Sequence, residues 1–99
     1  MPPKLTLEWK KQARADLFGI VDFISDDNPD AAQELKNDIE AKVEKLCEFP
    51  ELYKPGRQRG TRELIAHKNY IVIYRVTTEQ VEVLRVKHSA QQWPMSEKR

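Results

Sequence analysis

The spacing of apolar residues is helical over residues 8–48 and strand-like after residue 60. Apolar side chains at intervals of three and four form one face of an amphipathic helix, and alternation predicts a half-buried strand. The helical stripes comprise Ala13, Leu17, Ile20, Val21 and Ile24, followed by Ala32, Leu35, Ile39, Val43 and Leu46. About four residues separate the stripes, so a helix hairpin is predicted over residues 8–48.

The sequence also predicts where the two helices begin and end. Asn28 is a suitable N-cap for the second helix, and Pro29 fits its first position because proline lacks the N–H that would be unsatisfied there. Thr6 or its neighbour is expected to cap the first helix. The second helix should end at Phe49-Pro50, since a residue before proline avoids the α region.

Four short segments have strand character. Residues 4–7, 61–67 and 81–86 alternate polar and apolar side chains, whereas residues 70–76 are apolar on both faces. Residues 50–60 form a basic loop, and the three strands after it form a β-meander over residues 61–88. We expect one α+β domain over residues 1–99, with order β-α-α-β-β-β. The helix hairpin packs on one face of a small antiparallel sheet, and residues 95–99 form a flexible tail.

The charge is balanced overall but divided between the halves. The chain has 17 basic and 16 acidic residues, which gives a net charge of +1. Residues 1–50 carry 7 basic and 11 acidic side chains (−4), and residues 51–99 carry 10 and 5 (+5). Such an asymmetry suggests contact of the basic half with nucleic acid or another polyanion.

Several classes of function are not supported by the sequence. No apolar run has the length of a membrane span, and the first residues lack the apolar region of a secretory signal. Cys47 is the single cysteine, which fits a reducing cytoplasm. His67 and His88 lie outside any common metal-ligand spacing, and no glycine-rich phosphate loop is present. We therefore expect neither a metal nor a cofactor.

The sequence offers a set of candidate binding residues in its basic half. Guanidinium groups bind phosphate oxygens in pairs, and a tyrosine ring offers a surface on which a base can stack. The candidate substrate-binding residues are Lys54, Arg57, Arg59, Arg85, Lys87 and Tyr74. The simpler alternative is a solvated charged face in which Arg75 and Arg85 pair with glutamates across strands. Along the last strand, alternation places Val81, Val83, Arg85 and Lys87 on one face.

Three segments resemble one known family. They are GTREL (60–64), NYIVIYRV (69–76) and the pattern V-x-H-x-x-x-x-W-P that begins at Val86. In this order they resemble the ParE/RelE superfamily of toxins from bacterial type II toxin–antitoxin modules, and the similarity extends over about residues 4–94. The resemblance implies a growth-arresting toxin, a β-α-α-β-β-β fold and a cognate antitoxin. Contact with operator DNA would then belong to the antitoxin.

The resemblance implies two alternative targets. RelE-like members cleave mRNA in the ribosomal A site without a metal. By similarity to them, Arg62 would clamp a phosphate, His88 would act as acid or base, and Arg85 and Lys87 would bind flanking phosphates. ParE-like members are associated with poisoning of DNA gyrase, and the overall string is closer to that branch. We expect mRNA cleavage first, gyrase poisoning as the alternative, and a module member that only binds antitoxin as a third possibility.

Overall fold

The computed structural model describes residues 5–53, 55–56, 58–66 and 69–89. Its elements are β1 (Thr6–Trp9), α1 (Lys11–Ser25), α2 (Pro29–Lys45), β2 (Arg62–Ile65), β3 (Tyr70–Val76) and β4 (Gln80–His88). The four strands form one sheet in the order β1-β4-β3-β2. This confirms the predicted α+β class and element order. The predicted tail at 95–99 lies outside the described residues.

The sheet is mixed, whereas the sequence predicted a wholly antiparallel sheet. β2, β3 and β4 form the expected antiparallel meander, but β1 pairs with β4 in parallel, with Thr6 opposite Gln80 and Trp9 opposite Val83. A parallel pair needs a long crossover connection, and here the helix hairpin, β2 and β3 all lie between the two strands in the chain. The prediction erred because it assigned no partner to the N-terminal strand.

The second helix begins as predicted, and the first does not. The Asn28 side chain accepts a hydrogen bond from the Ala31 amide at 3.1 Å, and Pro29 occupies the first position of α2. α1 begins at Lys11, later than predicted, because the chain continues as β1 up to Trp9. Thr6 therefore lies in a strand, and its hydroxyl donates to the Glu79 carbonyl at 3.3 Å instead of capping a helix.

A bulge in β4 interrupts the simple alternation of its side chains. Tyr74 lies opposite Val83, but the preceding residue Ile73 lies opposite Arg85, so Leu84 is an extra residue in the strand. Val83 and Val86 consequently both face the helices, and Lys87 faces away. The predicted common face of Val83 and Lys87 is therefore wrong, because alternation cannot reveal an inserted residue.

The main core lies between the helix hairpin and one face of the sheet. α1 and α2 contribute the predicted stripes, and the sheet contributes valines together with Leu64 and Tyr74. The fully buried side chains of this core include Leu35, Ile39, Val43, Leu46, Leu64, Val72, Tyr74, Val81 and Val83. Among the described residues, neither helix combines the length and apolarity that crossing a membrane requires.

Candidate functional site

Arg62 lies at the start of β2 and holds the loop that precedes it. Its Nη1 donates a hydrogen bond to the Tyr53 carbonyl at 2.6 Å, and its side chain is half-buried. In the sheet it stands opposite Tyr74 on β3. The guanidinium of this candidate catalytic residue is therefore directed by a contact within the protein.

His88 is the last residue of β4, at the other end of the sheet. It stands opposite Tyr70, and the two rings meet edge to face with their centroids 5.2 Å apart. The histidine is half-buried. It has one ring packed against it and remains partly accessible to solvent.

The sheet register separates the two candidate catalytic residues. Tyr74 and Tyr70, their partners on β3, lie four residues apart, and β2 and β4 flank opposite edges of β3. With about 3.4 Å per residue and about 4.8 Å between strands, the Cα atoms of Arg62 and His88 are roughly 17 Å apart. Val72 lies between the two tyrosines on the same face and is fully buried. The structure does not bring Arg62 and His88 together at one site.

Tyr74 is fully buried, contrary to its predicted role as a stacking platform. Its ring belongs to the main core, and its hydroxyl donates a hydrogen bond to the Pro50 carbonyl at 3.2 Å. Burial raises the pKa of this hydroxyl, and the nearby positive charge of Arg62 partly opposes the shift. The ring face is thus not accessible to a base in this structure.

Arg85 is engaged by an acidic residue of α1 that sequence reasoning did not single out. Its Nε and Nη2 donate to the two carboxylate oxygens of Asp16 at 2.7 and 3.1 Å. The same carboxylate accepts the Val86 amide at 2.9 Å, and its hydrogen bonds with the guanidinium raise the pKa of Arg85. In the sequence, Asp16 lies among the apolar stripe residues Ala13, Leu17 and Ile20. This position of a carboxylate was the available signal for a partner within the fold.

The Asp16 contact also explains how α1 covers the part of the β4 edge that does not pair with β1. β1 pairs with β4 only as far as Val83, and its chain then continues into α1. The edge of β4 beyond Val83 would otherwise present an unpaired backbone amide at Val86. Asp16 satisfies that amide and the neighbouring Arg85 together, so this arginine has a structural role.

The remaining predicted binding residues do not form a cluster in the described chain. Arg59 is exposed in the loop, whereas Lys87 is buried on the sheet face away from the helices and has a polar partner. Lys54 and Arg57 lie outside the described residues. Within the described ranges, no group of histidine, cysteine and acidic side chains has the arrangement of a metal site.

A polar network crosses the outer face of the sheet. Arg75 pairs with Glu82, with Nε 3.0 Å from Oε1, as the cross-strand alternative predicted. The Gln80 amide donates to both Glu82 and Glu8 at 2.7 and 2.8 Å. The hydrogen bonds from Arg75 and Gln80 lower the pKa of Glu82. Arg75 is therefore neutralised locally, and this part of the face is not a free basic surface.

An open groove runs between α1 and α2 on the outside of the hairpin. Its volume is about 280 Å³, and its apolar walls are Trp9, Leu17, Phe18 and Val21. Charged side chains border it, among them Lys36 and Glu40, which form an ion pair at 3.0 Å. Phe18 is 73 % exposed. Sequence reasoning missed this groove because Phe18 lies outside the core stripe of α1.

Comparison with known proteins matches the chain to one protein family and to two relatives. Residues 7–93 match the model of the family described as ParE toxin of type II toxin–antitoxin system, parDE. A putative toxin, Y4kP of Sinorhizobium fredii, is 40 % identical over 89 residues, which cover 89 % of this chain and 92 % of the relative. Toxin RelE2 of Caulobacter vibrioides is 33 % identical over 84 residues, or 83 % and 92 % of the two chains.

Two solved structures show the same fold. A chain of the chromosomal ParDE system of Pseudomonas aeruginosa has a TM-score of 0.75 and 25 % identity, and the match covers 86 % of this chain and 96 % of that one. A chain of the RelBE2 toxin–antitoxin complex of Mycobacterium tuberculosis has a TM-score of 0.59 and 24 % identity, over 92 % and 98 % of the chains. The second likeness concerns the fold alone.

Proposed function

The chain belongs to the ParE toxin family of type II toxin–antitoxin systems, and from this premise we propose that it arrests growth by binding DNA gyrase and not by cleaving mRNA. The observation that carries the proposal is the separation of Arg62 from His88. Sequence reasoning preferred mRNA cleavage, and the geometry supports the alternative better.

RNA cleavage through the 2′-hydroxyl needs several groups around one phosphate. A base removes the 2′ proton, a cation stabilises the charged phosphorane, and an acid protonates the leaving oxygen, each within hydrogen-bond reach. Here Arg62 is bound to the Tyr53 carbonyl, and His88 packs on Tyr70. The strand spacing places the Cα atoms of Arg62 and His88 roughly 17 Å apart. Core side chains fill the space between them on that face. This arrangement supports a toxin without an assembled acid–base site.

Two arginines of the sheet also favour a toxin that binds its target over one that cleaves RNA. Arg85 is paired with Asp16, and Arg75 with Glu82. A phosphate clamp needs a guanidinium whose donors are free to contact the ligand. Both of these arginines would have to give up a carboxylate before they could hold RNA.

The assignment of gyrase as the target is based on family membership. The family model that matches most of the chain is the ParE toxin model, and the ParDE likeness at a TM-score of 0.75 agrees with it. The sequence likewise resembles the branch associated with gyrase. A purely binding toxin also needs no metal or cofactor, and we propose that it acts in the cytoplasm.

The direct test is a supercoiling assay with purified gyrase and the full-length toxin. We expect inhibition together with accumulation of cleaved DNA, and equal potency from the His88→Ala variant. No inhibition at a large excess of toxin would reject the proposal. Primer extension on a reporter mRNA in induced cells supplies the opposing test: new cuts at the ribosomal A site that disappear in His88→Ala would support mRNA cleavage instead.

The partner is a cognate antitoxin, and we place its docking segment in the groove between α1 and α2. Two similar structures are toxin–antitoxin complexes. The groove presents the apolar side chains Trp9, Phe18 and Val21 with charges along its border, which suits an amphipathic helix. Any contact with operator DNA would then belong to the antitoxin.

A further inference from the structure

The charges of α1 are placed opposite to the preference of its own helix dipole. Lys11 and Arg14 occupy the first turn, which contains no acidic residue. Asp22 lies in the last turn, which contains no basic residue, and Asp26 is the C-cap. A helix dipole favours acidic side chains at the start and basic ones at the end. The charge pattern of α1 therefore does not serve the isolated helix.

The neighbouring helix does not compensate for this pattern. α2 follows α1 after a short turn and runs back along it, with Asp30 in its first turn and Lys42 and Lys45 in its last. The hairpin thus collects acidic side chains at its turn and basic ones at its open end. At each end of the hairpin, α1 and α2 therefore carry charges of like sign.

The outward face of α1 combines exposed aromatic rings and small residues with the exposed carboxylate of Asp22. Phe18 and Phe23 are 73 % and 77 % exposed and lie on either side of this face. Between them are the small residues Ala15 and Gly19, and a Cβ atom added to Gly19 would meet nothing within 4 Å. A second helix can therefore approach the backbone of α1 closely at this point.

We propose that the outward face of α1 is a dimer interface, in which α1 of a second copy packs antiparallel about a two-fold axis between residues 18 and 19. In this register Lys11 lies beside Asp26 of the second copy, and Phe18 lies at the level of Gly19. Phe23 lies at the level of Arg14 of the second copy. The two-fold axis repeats each contact, which gives two ion pairs and two aromatic anchors.

Self-complementarity favours a second copy over another partner. Along α1, basic residues are followed by small and aromatic residues and then by acidic residues, and this order is complementary to its own reverse. An antiparallel copy therefore places opposite charges beside both ends of α1, which offsets the unfavourable interaction of these charges with the helix dipole. α1 is about 22 Å long at 1.5 Å per residue, so the buried area falls well below the roughly 800 Å² per partner of a standard interface. The dimer is accordingly weak, and it dissociates on dilution and at high salt.

The experiment is sedimentation velocity of the full-length toxin, freed of antitoxin, at micromolar to millimolar concentrations. We expect a concentration-dependent monomer–dimer equilibrium that high salt shifts to monomer. Lys11→Glu or Asp26→Lys alone weakens the dimer at least about tenfold by placing like charges together. The double variant K11E/D26K restores it, because the swapped charges attract again across the two-fold axis.

Two further variants distinguish this interface from association through another exposed aromatic ring. Phe23→Ser abolishes the dimer, and Phe49→Ser, which removes an exposed ring from the segment after α2, leaves it intact. Circular dichroism checks that each variant is folded. A chain that stays monomeric at every concentration, or a double variant that fails to restore the dimer, overturns the proposal. Loss of antitoxin binding by K11E with no dimer at any concentration assigns the face to the antitoxin and also overturns it.

Discussion

Arg62 and Tyr74 stand opposite each other on neighbouring strands, and each donates a hydrogen bond to a carbonyl of the same preceding segment. The tyrosine hydroxyl reaches the Pro50 carbonyl at 3.2 Å, and the guanidinium reaches the Tyr53 carbonyl at 2.6 Å. Two residues that the sequence assigned to RNA binding thus fix the backbone that links α2 to the meander.

Loss of the Tyr74 hydroxyl is expected to destabilise the fold. Tyr74→Phe removes the hydrogen bond to Pro50 and retains the packing, so the free energy of unfolding at neutral pH should fall by about 1 kcal/mol. Burial raises the pKa of Tyr74 in the folded state. Deprotonation above about pH 10 therefore favours the unfolded chain, and stability is lost as the pH rises.

This pH dependence gives a second check on Tyr74. Urea unfolding of both proteins at neutral and alkaline pH should show that the advantage of the natural protein over Tyr74→Phe shrinks above about pH 10. An advantage that is constant or grows with pH would contradict the buried environment of this hydroxyl.

Asp16 is expected to be among the most sensitive polar positions. Asp16→Ala leaves Arg85 and the Val86 amide without their acceptor, and we expect a loss of about 2–3 kcal/mol in the free energy of unfolding. The matched control Glu40→Gln breaks the more exposed ion pair with Lys36 and should cost less than about 0.5 kcal/mol. Equal losses in urea titrations of the two variants would refute a special role for Asp16.

Glu82 should make the fold sensitive to acid. Arg75 and Gln80 lower its pKa in the folded state below the usual value of 4.5. Its contribution is present above that value and is lost as the pH falls through the lower folded pKa. Glu82→Gln should therefore flatten the acid side of the stability curve measured by thermal unfolding. Glu34→Gln, which removes one exposed carboxylate from α2, controls for net charge, and an identical profile in both variants would count against the prediction.

The groove prediction can be tested by antitoxin binding. Phe18→Ser removes an apolar wall and should weaken affinity at least about tenfold, mainly through faster dissociation. Phe49→Ser, an equally drastic change at an exposed ring away from the groove, should leave affinity unchanged. Surface-immobilised antitoxin and purified toxin variants suffice for the measurement. Comparable losses in the two variants would place the docking segment elsewhere.

Charge should control how fast the antitoxin associates. The second half of the chain carries a balance of +5, so an acidic antitoxin segment is attracted over a distance. We expect the association rate to fall about tenfold or more between low and high salt, with little change in the dissociation rate. Stopped-flow mixing over a salt series measures both, and a salt-independent association rate would show that long-range attraction has no part in encounter.

Local sequence signals predicted most of the fold. The two helical stripes, the Asn28 cap and the three strands of the meander follow from rules that act within a few residues, and the structure confirms them. The parallel pairing of β1 with β4 and the bulge at Leu84 depend on contacts between distant segments. Such contacts leave no periodic trace in the sequence.

The candidate site was harder to predict for a physical reason. A charged residue has the same appearance in a sequence whether it faces a ligand or a partner within the fold. Arg85 was assigned to phosphate and is bound to Asp16 on another element. Tyr74 was assigned to a base and is buried, because β3 places it on the helix-facing side. Only the topology shows which face is covered.

The pairing of β1 with β4 has a consequence for synthesis on the ribosome. Thr6 meets Gln80, so the strand made first has no place in the sheet until the strand made last has left the exit tunnel. The helix hairpin can form early from local contacts, whereas closure of the sheet waits for nearly the whole chain. Trp9, one wall of the groove between α1 and α2, belongs to β1, so a nascent chain with both helices complete does not present the finished groove until the sheet closes.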